Sequence, residues 1–294
     1  MNNQIEIHEV FTRDGIQNLS KLVDTNQKKY YLSKMLEAGI KHIECASFVN
    51  PKKVSQMQDA KEIVEFLAQI GWGGLDVYAL VPNYRGACDA YNAGLRKVVF
   101  VVSLSETHNK NNVNRTHLES FIELKKIKHD FKDMEIVLDV ATVFGDNDEG
   151  KFKDPGKLID FIDEYINIGI STINLCDTCG IADPRQVKLF ITSLKQKYKE
   201  LDLIVHFHDS RGLAMTNTLV AISLGITKIQ SSIGGLGGCQ FAKGSMGNLA
   251  TEDLVWALNE MGYDTGIDYF KILSLAKEVH KTLDGLYTGH GILL

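Results

Sequence analysis

Eight short runs rich in β-branched residues recur along the chain, and longer stretches with an apolar residue every three or four positions lie between them. The runs predict strands over Ile5–Val10, Lys41–Ala46, Leu75–Val81, Lys97–Ser103, Met134–Thr142, Thr172–Asp177, Leu203–Asp209 and Lys228–Ile233. The helical spacing predicts helices over Gln27–Ala38, Val54–Ile70, His117–Phe131, Lys157–Ile168, Val187–Tyr198 and Ala214–Leu224. Gly39, Gly71, Gly94, Gly169 and Gly225 each follow a helical stretch, where a left-handed residue ends a helix. Asp154–Pro155 and Asp183–Pro184 place an N-cap residue before a proline in the first turn. Strand–helix units without a linker, a low-complexity tract or a shift of composition predict one domain over residues 1–294, an α/β single (β/α)8 TIM barrel. An open doubly wound sheet is the alternative, because local pattern does not show whether a sheet closes. Beyond about Ile267 the chain reads as an extra C-terminal helix and a loose tail.

Composition narrows the class. The 294 residues are 44% hydrophobic and 23% charged with only 4 prolines, which excludes disordered, collagen-like and mucin-like chains. Lys plus Arg number 32 against 37 Asp plus Glu, a net charge of −5, so there is no basic excess to grip nucleic acid. A local basic pocket for a phosphorylated small molecule remains compatible with that balance. No run of about 18 apolar residues is present to cross a membrane. Five irregularly spaced cysteines do not form a disulfide framework, and the start MNNQIEIHEV lacks a signal core. The expected setting is a reduced cytoplasm.

In a barrel of this kind the reactive groups belong at the C-terminal ends of the strands. Arg13 and Asp14 follow the first run, Glu44 and Asp177 end the second and sixth, and His206 and His208 end the seventh. Residues two apart on a strand share a face, so both imidazoles project together into the barrel mouth. They are a candidate pair of ligands for a divalent cation or, alternatively, hydrogen-bonded structural histidines. Asp14 is a natural oxygen ligand beside them, although Arg-Asp-Gly is also the composition of a solvated tight turn. Glu44 shares inward parity with His42 and Ala46, and Arg13 is a plausible partner for it. Asp177 shares parity with Ile173 and Leu175 and is expected to face the mouth, with Cys176 pointing outward.

The segment IGGLGGCQFAKGSMGN (Ile233–Asn248) has the glycines to pass close to a ligand. It matches neither a P-loop nor a dinucleotide fingerprint. Its cysteine, Cys239, is not placed for core packing. The lone Cys176-x-x-Cys179 has no second pair and reads as non-functional. His8, His42, Cys45 and Cys88 read as packing or surface residues, and His129 as part of a solvated helix face.

The stretches EVFTRDGIQN, IECASFVNPKKVSQM, SETHNKNNVN, CDTCGIADP, HFHDSRGLAMTNTLVA and SSIGGLGGCQFAKGSMGNLATEDLV occur in order over nearly the whole chain. Through them the sequence resembles the 3-hydroxy-3-methylglutaryl-CoA (HMG-CoA) lyase family, within the metal-dependent barrel lyases and aldolases that carry an Asp-Arg-Glu signature. The resemblance implies a pyruvate carboxyltransferase-like catalytic domain. It implies Asp14, His206, His208 and Asn248 as ligands of a divalent cation, Mg or Mn. Arg13 would hold the thioester carbonyl and Glu44 would steady Arg13. Asp177 and Glu252 would support the site, Cys239 would be the loop cysteine, and Gln17 and Ser47 would line the substrate pocket. Asn112 and Asn114 match a loop beside the acyl-CoA entrance. An acyl-CoA substrate and a homo-oligomer, a dimer, are the implied partners. Two departures stand out: Gln240 stands where the family has proline, which implies a less rigid loop, and VFGDNDEGKF replaces a Cys-Pro-aromatic run bordering the substrate after the fifth strand.

The implied reaction is a retro-Claisen cleavage to acetyl-CoA and acetoacetate, with Asp14 or His206 as the base and Cys239 as the acid. Three alternatives belong beside it. The first is a lyase or pyruvate-type aldolase acting on another 3-hydroxy acid. A Claisen condensing synthase is disfavoured by His208-Asp209-Ser210 where such enzymes carry His-Asn-Asp. A non-catalytic metal-binding protein would need neither Arg13 nor Glu44.

Overall fold

The computed structural model describes residues 3–238 and 247–294. Eight strands run parallel: β1 (Glu6–Glu9), β2 (His42–Ser47), β3 (Asp76–Val81), β4 (Lys97–Ser103), β5 (Glu135–Ala141), β6 (Thr172–Asp177), β7 (Asp202–Phe207) and β8 (Lys228–Ser231). Each lies within the predicted run or overlaps it to a residue or two. They close into a barrel in sequential order, and the closing pair is β1 with β8, registered from Glu6↔Lys228 to Glu9↔Ser231. That pairing excludes the open doubly wound sheet.

The surrounding helices are α1 (Thr25–Glu37), α2 (Ala60–Ile70), α3 (Tyr84–Asn92), α4 (Glu106–Val113), α5 (His117–Asp130), α6 (Gly156–Asn167), α7 (Pro184–Lys197), α8 (Ala214–Ser223), α9 (Thr251–Glu260) and α10 (Tyr269–Thr282). Apolar spacing does not outline α3, whose end Gly94 alone marks, or α4, for identifiable reasons. The buried face of α3 is Gly86, Ala87 and Ala90, too small to register as an apolar stripe. α4 is polar nearly throughout, buries His108 and Asn109, and is started by Ser105, whose hydroxyl accepts from the His108 N–H. The helix expected from Val54 begins later, after a 3-10 turn at Ser55–Met57.

Large aliphatic and aromatic side chains fill the layer between strands and helices. Inside the barrel, the waist is the apolar set Tyr78, Leu80, Val99, Val137 and Ile204. At the N-terminal end a belt of ion pairs takes over, including Lys97 with Asp76 at 2.8 Å and Lys228 with Asp202 at 2.6 Å. No helix among the described residues is long and apolar enough to cross a membrane.

Two local expectations are corrected. A register shift between Glu44 and Ala46 makes Ala46 pair with Ala79 and Ser47 with Leu80. This bulge inverts the alternation of β2, so Ala46 packs in the layer toward the helices and Ser47 stands beside Leu80, whose side chain lines the cavity. The tail after α10 is not loose. The Thr288 hydroxyl donates to the Asn248 carbonyl at 2.6 Å, and the Thr288 and Gly289 amides donate to the Gly234 carbonyl. The glycine-rich backbone behind β8 offers carbonyls that no strand or helix satisfies, and the tail supplies their donors.

α10 is held across α1 by the Asp268 amide on the Ala38 carbonyl at 2.8 Å and by Tyr31 Oη against Thr282 Oγ1 at 2.7 Å. Gly39, at φ +100°, makes this docking feasible: a Cβ there would stand 2.4 Å from the Gly266 carbonyl oxygen. Gly39→Ala combines left-handed strain with that collision and is expected to cost about 1–3 kcal/mol of stability. Urea unfolding of the purified variant reads the shift, and an unchanged midpoint would show that α10 contributes little to the fold.

Candidate active site

At the end of β1 the chain makes a single tight turn in which the Val10 carbonyl accepts from the amides of Arg13, Asp14 and Gly15. A Cβ on Gly15 would lie 2.7 Å from Ser232 Oγ, so this turn is pressed onto the backbone that follows β8. It sets Arg13 and Asp14 side by side, both buried. Arg13 donates through Nε and Nη2 to the two carboxylate oxygens of Glu44, at 2.6 and 3.0 Å, and through Nη1 to Asp14 Oδ1 at 2.6 Å. Such a bidentate pair fixes the guanidinium plane as well as its charge. Burial opposes the cation, but Glu44 and Asp14 outweigh it and hold Arg13 protonated more firmly than usual. Burial likewise opposes ionisation of Asp14, while Arg13 and the facing histidines keep its carboxyl well below the usual carboxylate range.

His206 and His208 rise on the same face at the end of β7, as their spacing predicts. The His206 Nδ1–H donates to Gln230 Oε1 at 2.8 Å, and the His208 Nδ1–H to the Thr178 carbonyl at 2.9 Å. Both acceptors are oxygens, so the Nε2 of each ring is the nitrogen left for a ligand. Burial, reinforced by His208, pushes His206 down to about 3, which keeps it neutral as ligation requires. One donor atom from each of Asp14, His206 and His208 lies within 4.8 Å of the others, and Asp14 Oδ2 stands 3.8 Å from His208 Nε2.

Asn248 joins this group. Its Nδ2 donates to Asp14 Oδ2 and to the Leu236 carbonyl, both at 2.8 Å. Its buried Oδ1 has no hydrogen-bond partner among the described residues. An orphaned amide oxygen beside two imidazoles and a carboxylate is the donor set of a divalent cation. Gly237 (φ +132°) closes over it, and a Cβ there would lie 2.1 Å from Asn248 Nδ2 and 2.9 Å from Asp14 Oδ2.

These groups open into a cavity of about 690 Å³ at the barrel mouth. Arg13, Asp14, Gln17, His206 and His208 line it, as do Asn112 and Asn114. The other sequence candidates sit elsewhere. Glu44 lies behind Arg13 and does not line the cavity. Ser47 is fully buried, and its hydroxyl has no partner among the described residues.

Asp177 does not face the mouth, because the parity of β6 is the reverse of that expected. Asn174 bonds Asp139 and Gln230 inside the barrel, and Cys176 lines the cavity. Asp177 therefore points outward and accepts from the amides of Ile181 and Ala182 at 3.0 and 3.1 Å; burial still pushes it up to about 6. Ile173 and Leu175 pack in the layer toward the helices, and sequence parity does not mark the inward face because both faces of a barrel strand are buried. Glu252 is buried behind the glycine segment, where Oε2 accepts from the Gly234 amide at 3.0 Å. Burial raises it to about 8. Cys239 and Gln240 lie outside the described residues.

Sequence reasoning missed Asp139 and Gln230. Asp139 lines the cavity from β5 and accepts from Asn174 at 2.9 Å. Burial, then the Glu44 charge, pushes it up to about 8. One guanidinium serves three carboxyls, two of them by direct contact, so the proton stays on Asp139. An acid in the middle of the apolar stretch IVLDVA was the available signal.

The HMGL-like family profile matches residues 4–279. Hydroxymethylglutaryl-CoA lyase YngG of Bacillus subtilis (strain 168) is 35% identical over 282 residues, covering 95% of this chain and 93% of that protein. The mitochondrial hydroxymethylglutaryl-CoA lyase of Macaca fascicularis is 36% identical over 96% of this chain and 86% of its own length. Among solved structures, the B. subtilis HMG-CoA lyase superposes with a TM-score of 0.92 at 33% identity, covering 100% of this chain and 99% of that one. An HMG-CoA lyase from A. baumannii, solved in complex with coenzyme A and 3-methylmalate, also superposes with a TM-score of 0.92. It is 32% identical over 98% of this chain and 94% of that one. With the family profile spanning almost the whole barrel and these relatives matched along their length, the chain belongs to the HMGL-like family.

Proposed function

We propose that this protein cleaves 3-hydroxy-3-methylglutaryl-CoA to acetyl-CoA and acetoacetate by a metal-dependent retro-Claisen reaction. The observation that carries the reading is the clamped Arg13 guanidinium beside Asp14, His206 and His208 in one cavity, with Asn248 bonded to Asp14 next to them. The names of the relatives support the substrate, and the coenzyme A and 3-methylmalate held by the A. baumannii protein support a hydroxy-acyl group on a CoA carrier. Lys53 and Arg115 line the same cavity and supply positive charge suited to the phosphates of that carrier.

Asp14, His206, His208 and the Asn248 Oδ1 would hold the cation, Mg²⁺ or Mn²⁺. When bound, it supplies a lowered pKa for the substrate's tertiary hydroxyl and a fixed orientation. Asp14, ionised, is the acceptor at hand for the hydroxyl proton, because His206 donates through Nδ1–H to Gln230 and would give its Nε2 to the cation. As the carbon–carbon bond breaks, its electron pair moves onto the thioester to give an enolate. Arg13 makes three bonds to Glu44 and Asp14 and so keeps two of its five N–H groups for that oxygen. Its position needs no rearrangement as the charge develops. Asp139, protonated, adds no negative charge to the cavity. Cys239 follows Gly238, which lines the cavity, and a thiol with a pKa of about 8.5 is a competent donor of the proton the enolate carbon requires.

Acetyl-CoA release from HMG-CoA, with and without divalent metal, tests the reading directly. In that assay Arg13→Lys keeps the charge but loses the planar fork, and kcat is expected to fall by about a hundredfold or more. Near-normal turnover would make Arg13 a turn residue only. His206→Ala and His208→Ala each remove one ligand, so calorimetric titration with Mn²⁺ should show weaker binding in both. Unchanged affinity in both variants would retire the site.

Asp139 predicts a pH dependence. Its folded pKa is raised far above that of an exposed aspartate, so the folded chain keeps a proton that the unfolded chain releases. Stability should therefore decline as pH rises from about 4 to about 8. Asp139→Asn preserves the acceptor for Asn174 and removes this contribution. Urea unfolding of chelator-treated protein across that range measures it, and an identical slope in the variant would place the proton on another group.

A further inference from the structure

The N-terminal end of the barrel, opposite the mouth, carries a second group of ligating side chains. β1 and β2 pair with His8 opposite His42, and the two imidazoles stack with centroids 4.6 Å apart. Glu6 precedes His8 by two residues on β1 and so shares its face. Glu6 Oε2 lies 3.8 Å from Nε2 of His8 and 3.8 Å from Nε2 of His42. One donor atom from each of the three residues lies within 4.8 Å of the others.

The outer contacts are those of ligand histidines. His42 donates from Nδ1 to Asp76 Oδ2 at 3.2 Å, and His8 Nδ1 is bonded to the Tyr78 hydroxyl at 2.9 Å. Both bonds leave Nε2 on the side of Glu6. His8 is 1% exposed, and its buried Nε2 has no hydrogen-bond partner among the described residues. An unsatisfied buried nitrogen is costly, and plain packing of the ring does not account for it. The neighbouring cations are otherwise engaged, Lys97 with Asp76 and Lys228 with Asp202.

We propose that Glu6, His8 and His42 form a second cation site, specific for a zinc-class divalent ion. Two imidazoles and one carboxylate suit Zn²⁺, Co²⁺ or Ni²⁺, whereas Mg²⁺ demands more oxygens and keeps its water. The partial exposure of Glu6 and His42 leaves a path to solvent and room for a water ligand. A bound ion joins β1 to β2, which are otherwise registered only at His8↔His42 and Glu9↔Ile43. The far ends of those strands carry Arg13 with Asp14 and Glu44. This site is independent of the proposed lyase activity.

The test is a Zn²⁺ titration against a competing chromophoric chelator, with thermal unfolding on the same samples. Wild type should bind two Zn²⁺ per chain. His8→Val and His42→Gln should each bind one and keep the wild-type Mn²⁺ affinity of the mouth. His206→Ala/His208→Ala should retain one ion and still gain thermal stability from Zn²⁺, and adding His8→Val should abolish that gain. If His8→Val does not fold, the half-buried His42→Gln carries the test. A single Zn²⁺ in wild type that vanishes with the mouth histidines would overturn the site. So would two ions that persist, with the same thermal gain, in both His8→Val and His42→Gln.

Discussion

A guanidinium buried in the barrel mouth has to be neutralised where it stands, and that constraint organises the rest of the site. Arg13 meets it with two carboxylates, Glu44 on the adjacent strand β2 and Asp14 next in sequence. Breaking either contact would leave an uncompensated buried charge, a defect worth several kcal/mol. The tight turn after β1 sets Arg13 beside Asp14, and the Gln230 bond to Glu44 helps hold the carboxylate against Arg13. Asp14 then faces two ways, toward Arg13 through Oδ1 and toward His208 and Asn248 through Oδ2. The cation cradle is in this sense an extension of the arginine clamp.

Precision on the other side comes from backbone, not from large side chains. Asn248 is placed by its own amide on the Gly235 carbonyl, by the tail through Thr288, and by a bridge to His208. Gly237 can sit over it because it has no Cβ. The C-terminal segment therefore does more than cover α1 and α9. It backs the loop that presents a candidate ligand.

The interior is stratified along the barrel axis. Polar chemistry occupies both ends, and the apolar set of Tyr78, Leu80, Val99, Val137 and Ile204 lies at the waist. Below the waist the charges largely neutralise one another, apart from the Glu6–His8–His42 group. Above it, excess carboxyl groups around one arginine force a proton onto Asp139. The same principle governs both ends: a buried polar atom requires a partner, and an atom left without one marks a place for a ligand.

The sequence alone determined the eight strand–helix units, because strand and helix periods are local properties of the chain. It also determined the shared face of His206 and His208, since a two-residue offset on a strand leaves no other choice, and the motifs that tie Arg13, Asp14 and Glu44 to one family. Closure of the sheet required the pairing of β1 with β8, a contact between the two ends of the chain. The inward and outward faces of β6 were equally beyond local reading, because a strand covered on both sides carries apolar residues on either. Asp177 was misplaced for that reason, and the bulge that turns Ser47 inward was invisible until β2 met β3. Asp139, Gln230 and the stacked pair of His8 and His42 acquire meaning only from neighbours supplied by other strands. Charge, burial and orphaned hydrogen-bonding atoms are properties of such three-dimensional neighbourhoods, and the tertiary structure alone decided them.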